Sequence, residues 1–390
     1  MLTSLALMFL LGMFLGWFFQ RLHLPRLLGM LITGIIVGPY MGNLLDVNTL
    51  AISPDLRRLA LIIILTTAGL SLDINDLKRV GRPAFLMCFV PACFEMAGMM
   101  LIAPALLHIS VMEAAVMGAV IAAVSPAVVV PKMLRLMEEG CGTDKSIPQM
   151  IMAGASVDDV FVIVIFTAVV GMAQGRDISA VSALQIPMSI ATGVTVGVLA
   201  GIVLHKAFAK IHIRDSAKVV ILLSISFLLA ALEDANLLPF SGLLAVMSIG
   251  VTVQKKNATL ADRLSRKYAK LWVGAEVLLF ALVGATVDLQ YALAAGATAI
   301  AVIFAVVGFR MVGVWVCLVK TSLSIRERVF CMIAYMPKAT VQAAIGSIPL
   351  SMGFACGHVI LTVAVLSILI TAPLGALGVE LSYKRLLGGR

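Results

Sequence analysis

The sequence is poor in charge. Asp, Glu, Lys and Arg make up 13% of its 390 residues, about half the share of an ordinary soluble domain. It also lacks any polar stretch long enough to form a separate soluble domain, which leaves one continuous unit over residues 1–390. The six cysteines (Cys88, Cys93, Cys141, Cys317, Cys331 and Cys356) lack metal-ligand spacing. Five of them lie in apolar blocks and read as small buried hydrophobes. The first block, Leu2 to Phe19, has no basic region before it and no small-residue cleavage site after it. It reads as a retained helix and not as a signal peptide.

What the sequence has in abundance is apolar side chains, 61% of the total. They come in blocks of about twenty, the length that crosses a hydrocarbon core of roughly 30 Å. Pro, Gly and charged residues punctuate the gaps and divide the chain into thirteen spans between residues 2 and 382, among them 26–45, 56–72, 111–136, 147–173, 238–254, 291–319 and 326–350. The net charge of +9 does not mark a nucleic-acid binder, because the bases sit in short loops between apolar blocks. Of the 29 Lys and Arg, Arg310 and Lys338 lie within spans, and nearly all the rest fall in alternate loops and the C-terminal tail. That alternation places the N-terminus outside and the C-terminus in the cytoplasm, and requires an odd number of spans. The basic stretch Lys255 to Lys270 reads as an inner-face anchor near anionic lipid. The 22 methionines read as flexible apolar filler. Small residues recur in the first two spans (Gly12, Gly16, Gly29, Gly34, Gly38) and suit close helix packing, with a dimer interface as one use. The expected architecture is an all-α polytopic membrane protein of about thirteen transmembrane helices, with the lipid bilayer as its surroundings.

Against this background five charges stand out, because each costs roughly 2.5–3.5 kcal/mol at the centre of a membrane helix. They are Glu95, Asp158, Asp159, Arg310 and Lys338; Glu276 is a sixth, nearer a helix end and read as reaching the cytoplasmic surface, with a role in transport as the alternative. Three acids and two bases suggest pairing inside a protein-lined cavity. Asp158 and Asp159 are the sharpest signal. Adjacent residues on a helix point about 100° apart, so one carboxylate can face a cavity while the other faces a partner. Two such acids, poorly solvated, titrate as a coupled pair. They can hold a hard cation through carboxylate oxygens or hold protons, but not both at once, which is the chemistry of exchange. The alternative is that one Asp forms a structural ion pair and the other caps a broken helix. Arg310 does not lose its proton, so a fixed pair with Glu95 is expected of it; a direct pair with Asp158, released during transport, is the other possibility.

Two spans carry helix-breaking sequence: Ser125-Pro126-Ala127-Val128-Val129-Val130-Pro131 in the fifth, and Pro337-Lys338-Ala339 through Ser347-Ile348-Pro349 in the twelfth. Proline removes a backbone donor and clashes with the preceding turn. Broken backbone at membrane depth is tolerated only where it is buried in protein or lines a cavity. Interrupted helices at corresponding places in two halves point to a midplane transport site. The two are seven spans apart and so cross in opposite senses, as an inverted repeat would give; two ordinary proline kinks are the simpler alternative. Lys338 is placed to neutralise half-helix C-terminal dipoles at the crossing.

With these residues in view the chain resembles the monovalent cation:proton antiporter superfamily, and within it the NHA-type sodium/proton antiporters of bacteria and animals. The likeness rests on Ala123 through Pro131, on Gly154-Ala155-Ser156-Val157-Asp158-Asp159, and on Pro337 through Gly346. It implies thirteen helices in two inverted repeats with two crossed discontinuous helices, the NhaA/NapA-like fold, working by elevator-type alternating access as a homodimer in the cell membrane. The implied core spans about 56–173 and 268–350, and the dimerisation scaffold about 1–45, 181–254 and 355–382. Asp159 would be the main carrier of cation and proton with Asp158 beside it, Ser125 and Ser156 would line the site, and Lys338 would sit at the crossing. No cofactor is implied; the metal held by Asp158 and Asp159 is the transported Na+ or Li+. Many paired-Asp bacterial relatives have Lys where this chain has Arg310, so the resemblance carries neither a proton onto that residue nor a ratio of two protons per sodium. The absence of the nucleotide-binding C-terminal domain of many potassium-exchanging relatives favours sodium or lithium. A K+/H+ antiporter or a sodium-coupled organic-anion carrier would keep the fold. An intramembrane aspartyl protease needs two Asp on different helices, whereas here they are consecutive on one.

Overall fold

The computed structural model describes residues 1–72, 81–173, 180–211, 213–235 and 240–388. The expected basic residues Lys78, Arg79 and Arg176, and the first residues of the span 238–254, lie outside them. All regular structure among the described residues is helical. Nine described helices are long and apolar enough to cross a membrane: Leu2–Arg21, Arg82–Leu107, Val111–Glu138, Ile147–Ala173, Met188–Lys210, Asp215–Glu233, Ala258–Ala285, Gly296–Cys317 and Gly357–Leu386.

The four remaining expected spans differ from these for identifiable reasons. Span 26–45 is helical only over Arg26–Val37, because Gly38 is extended ahead of Pro39, as the residue before a proline prefers; Asp46 then caps a short helix, Val47–Ala51, through the Asn48 amide. Span 56–72 is the helix Ser53–Ser71, whose first turns carry Asp55, Arg57 and Arg58 and dilute its hydropathy. Span 238–254 is described as the 15-residue helix Gly242–Lys256. Span 326–350 is broken into Ile325–Ala334, Thr340–Ile345 and Ile348–Ser351.

The chain divides into two compact units, Met1–Pro54 with Asn75–Val169 and Val277–Arg390, and Asp55–Ile74 with Val170–Glu276. In the second, a Cβ on Gly197 would lie 2.4 Å from the Ala245 carbonyl and one on Gly69 2.4 Å from that of Met247. Helices there approach backbone to backbone, as small residues permit in membrane proteins.

The first unit contains every charged residue of the expected site. Its first two helices use their glycines within the chain: a Cβ on Gly29 would meet Leu15 at 2.4 Å, and one on Gly34 the Ala281 carbonyl at 1.9 Å. These glycines therefore serve close packing within the chain. Two discontinuous segments follow one construction. Ser110 and Glu113 form a reciprocal capping box that starts Val111–Ile121, the chain breaks over residues 122–125, and Pro126–Glu138 resumes from Ser125. Ser324 and Glu327 form the same box before Ile325–Ala334, the break spans 335–339, and Thr340–Ile345 resumes from Ala339. Such a box satisfies two otherwise orphaned amides at a helix start. The terminal helix Gly357–Leu386 lies against the second break: Pro337 rests on Gly375, where a Cβ would come within 2.3 Å, and the Lys338 amide donates to Thr371 Oγ1 at 3.0 Å. The terminal helix is thus fixed to the second break.

Candidate functional site

Small residues decide how closely the charged helices meet. On Val90–Leu107, Pro91, Glu95 and Gly98 share one face by helical spacing. A Cβ on Gly98 would lie 2.6 Å from the Phe309 ring, and one on Gly313 would lie 2.8 Å from Pro91 Cα. Glycine at both places lets Leu289–Cys317 close onto this face, and Arg310 comes to stand opposite Glu95. Gly154, one turn before the paired acids, performs the same service for Tyr335, whose hydroxyl would lie 2.4 Å from an added Cβ.

Arg310 is 1% exposed and all its nitrogens are engaged. Nη1 donates to Glu95 Oε2 at 2.8 Å and to the Ala122 carbonyl, Nη2 to Asp158 Oδ2 at 3.1 Å, and Nε to the Tyr335 carbonyl at 2.8 Å. Its guanidinium also stacks 5.3 Å from the centre of the Tyr335 ring. Both sequence-based partners of Arg310, Glu95 and Asp158, are therefore bonded to it at once. Moreover, its contacts at Ala122 and Tyr335 place a positive charge on the last carbonyls of both broken half-helices, where the dipoles end negative. That position was expected of Lys338. The backbone of Lys338 does lie in the second break, but its ammonium donates to Glu95 Oε2 at 2.5 Å.

The first break is held on every side. Val124 N donates to Asp158 Oδ2 at 2.7 Å and Ser125 N to the Pro337 carbonyl at 2.8 Å, so one break leans on the other. Gln342 Nε2 donates to the carbonyls of Ala123 at 2.8 Å and Ile121 at 3.2 Å, and its Oε1 accepts from Ala339 N at 2.8 Å. Tyr335 Oη donates to the Met87 carbonyl at 3.0 Å. Sequence reasoning assigned no role to Gln342, Tyr335 or Thr371. The signal available for Gln342 was a buried amide at the third position of a half-helix, where Gln serves in a capping box.

The charges in this cluster do not balance. Two cations, Arg310 and Lys338, pair with Glu95 and Asp158. Asp159 is 7% exposed, and among the described residues no cation lies within ion-pair distance of it. Asp159 Oδ1, Asp158 Oδ1, Glu95 Oε1 and Ser125 Oγ are buried without a hydrogen-bond partner. An unpaired carboxylate in such surroundings is costly, so Asp159 needs a proton or a mobile cation to be neutral. The donor set of carboxylate and hydroxyl oxygens suits a hard monovalent ion. Ser156, by contrast, spends its hydroxyl proton on the Met152 carbonyl of its own helix at 2.9 Å. Glu276 does not reach the surface: it lies 3% exposed within Ala258–Ala285. Cys93 alone of the six cysteines is exposed, on the outward side of its helix.

Residues 6–381 match the family described as "Sodium/hydrogen exchanger, transmembrane". The chain is similar to sodium/hydrogen exchanger 9B2 of Xenopus tropicalis, 32% identical over 93% of this chain and 69% of that protein. It is also 32% identical to the Homo sapiens 9B2 protein over 93% of this chain and 70% of that one, and 30% identical to Homo sapiens sodium/hydrogen exchanger 9B1 over 91% and 71%. Among solved structures, the sodium proton antiporter MjNhaP1 from Methanocaldococcus jannaschii at pH 8 superposes with a TM-score of 0.87 at 19% identity, over 99% of this chain and 98% of that one.

Proposed function

The chain belongs to the sodium/hydrogen exchanger family, and on that premise we propose that it exchanges Na+ or Li+ for H+ across the cell membrane, with Asp159 as the carrier of either. As a member it is a multi-pass transporter and not an enzyme. The observation that carries the proposal is the charge imbalance: Asp159 is the acid left over when Arg310 and Lys338 are paired with Glu95 and Asp158. A cation bound there displaces the proton, and a proton bound there removes the charge that attracts the cation. Asp158, held by Val124 N and Arg310, fixes the position of its neighbour, and Ser125 Oγ, buried without a hydrogen-bond partner, is a neutral ligand the broken helix offers. Lys338 and Arg310 hold charge in place and carry no proton in this scheme.

The remaining architecture follows as part of the same reading. Thirteen spans in two inverted repeats are supported by the matching capping boxes and breaks at Ser110–Ser125 and Ser324–Ala339. A core carrying both breaks moves by an elevator against a scaffold through which two copies pair. We place the terminal helix with that core, because Pro337 and Lys338 are fixed to it. The N-terminus lies outside and the C-terminus in the cytoplasm.

Proteoliposomes containing the purified protein and a lumenal pH dye test the assignment. Addition of Na+ or Li+ should collapse an imposed pH gradient, K+ should not, and Asp159→Asn should abolish the response. Exchange at the normal rate by Asp159→Asn would end the role given to that residue.

A further inference from the structure

We propose that Gln342 is a positioning residue that sets the cation affinity of the site by occupying the carbonyl oxygens of the first break. This rests on the exchange reading above and adds to it a residue that touches neither ion nor carrier. Gln342 is 1% exposed. It is the third residue of the half-helix Thr340–Ile345, and Ala339, at the cap position, has no side chain able to cap it. Its Oε1 takes the Ala339 amide, and its Nε2 reaches across to the Ala123 and Ile121 carbonyls. The carbonyl between them, of Ala122, belongs to Arg310. Three consecutive peptide oxygens are thus closed off by two side chains. The very next amides, Val124 N and Ser125 N, hold Asp158 and the second break.

Backbone carbonyls are good ligands for hard cations. If the oxygens of Ala123 and Ile121 lost their donor, they would be buried without a partner, beside an acid that binds a cation. They would swing away and take Val124 N off Asp158. Gln342 prevents this, and so keeps in place the oxygens the ion meets. Its effect falls on the bound state of the cation and not on the proton-carrying acid, which predicts a change in KM with little change in maximal rate.

The experiment compares Na+- and Li+-driven proton flux in proteoliposomes for the wild type, Gln342→Met, Gln342→Glu and Leu361→Ala. Methionine has the length of Gln but no donor; Glu, protonated where an unpaired carboxylate is costly, keeps the acceptor for Ala339 N and one of the two donors. Leu361 is a buried residue of the terminal helix outside the site, and its truncation reports loss of folded protein alone. Both Gln342 variants should purify as folded protein. Gln342→Met should raise KM for Na+ by about tenfold and Gln342→Glu by less, with maximal rate within about twofold, as the loss of donors to buried carbonyls implies. They should also shift the Na+/Li+ preference, whereas Leu361→Ala lowers yield with KM unchanged. A folded Gln342→Met protein with the KM and Na+/Li+ preference of the wild type overturns this inference alone. A wild type without Na+- or Li+-driven flux overturns the exchange reading and this inference with it.

Discussion

At the scale of single residues, the energetics turn on one guanidinium. Arg310 joins Glu95, Asp158, Ala122 and Tyr335 in a space closed to water. A buried pair contributes little over an apolar pair of equal volume, but removing one partner strands a charge at a cost of about 3–5 kcal/mol. Glu95→Gln and Arg310→Met should therefore each lower the folded yield and the melting temperature, and the double variant by less than the sum of the two; additive losses in a double-mutant cycle would contradict the pair. The five charges were plain in the sequence, since a charge in an apolar block needs no alignment to be seen. Their pairing was not. Glu95, Asp158 and Arg310 are far apart in the chain, and helical spacing relates only neighbours on one helix. That Arg310 would meet both acids, and Lys338 the same Glu95 oxygen, depends on Gly98 and Gly313 letting two helices close to contact. Those glycines read as ordinary members of a transmembrane segment. The burial of Glu276 was hidden for the same reason, because distance from a helix end says nothing of what covers it.

At the scale of elements, the breaks were legible and their bracing was not. Pro126 and Pro337 mark where helices cannot continue, and the structure breaks at residues 122–125 and 335–339. The matching boxes Ser110–Glu113 and Ser324–Glu327 were also present in the sequence as Ser followed three residues later by Glu. They show that each broken segment starts from a fixed end. Ser324→Ala should cost about 1 kcal/mol of stability, the usual price of a lost cap, read as a lower melting temperature in detergent. The bracing depends on close approach that no local pattern announces. Gly375→Leu would drive a side chain into Pro337, already 2.3 Å from a Cβ placed there. It should displace the second break and abolish transport at a modest cost in folded yield, since overpacking costs about 1–3 kcal/mol. Normal flux from the folded Gly375→Leu protein would show that the second break tolerates displacement.

At the scale of the whole molecule, composition settled the class. A charge content of 13% and blocks of membrane length left a polytopic helical protein as the fold, and the family and the solved MjNhaP1 structure agree with it. The count of spans was harder to read, because hydropathy weakens where a helix is short, broken or charged in its first turns, as in Arg26–Val37, Gly242–Lys256 and Ser53–Ser71. The proposed orientation rests on the distribution of Lys and Arg. In sealed, right-side-out vesicles of a Cys93→Ser background, Lys384→Cys should resist an impermeant thiol reagent and become reactive after permeabilisation. Labelling before permeabilisation would invert the proposed topology.

Everything in the transport scheme depends on Asp159 having no fixed counter-charge. Calorimetry of Na+ and Li+ binding to the purified protein, in two buffers of different ionisation enthalpy, counts the protons released per ion bound. The account predicts release of protons on binding, affinity that weakens as pH falls, and loss of both heat and release in Asp159→Asn. Binding of undiminished strength across the pH range, with no proton released, would contradict it.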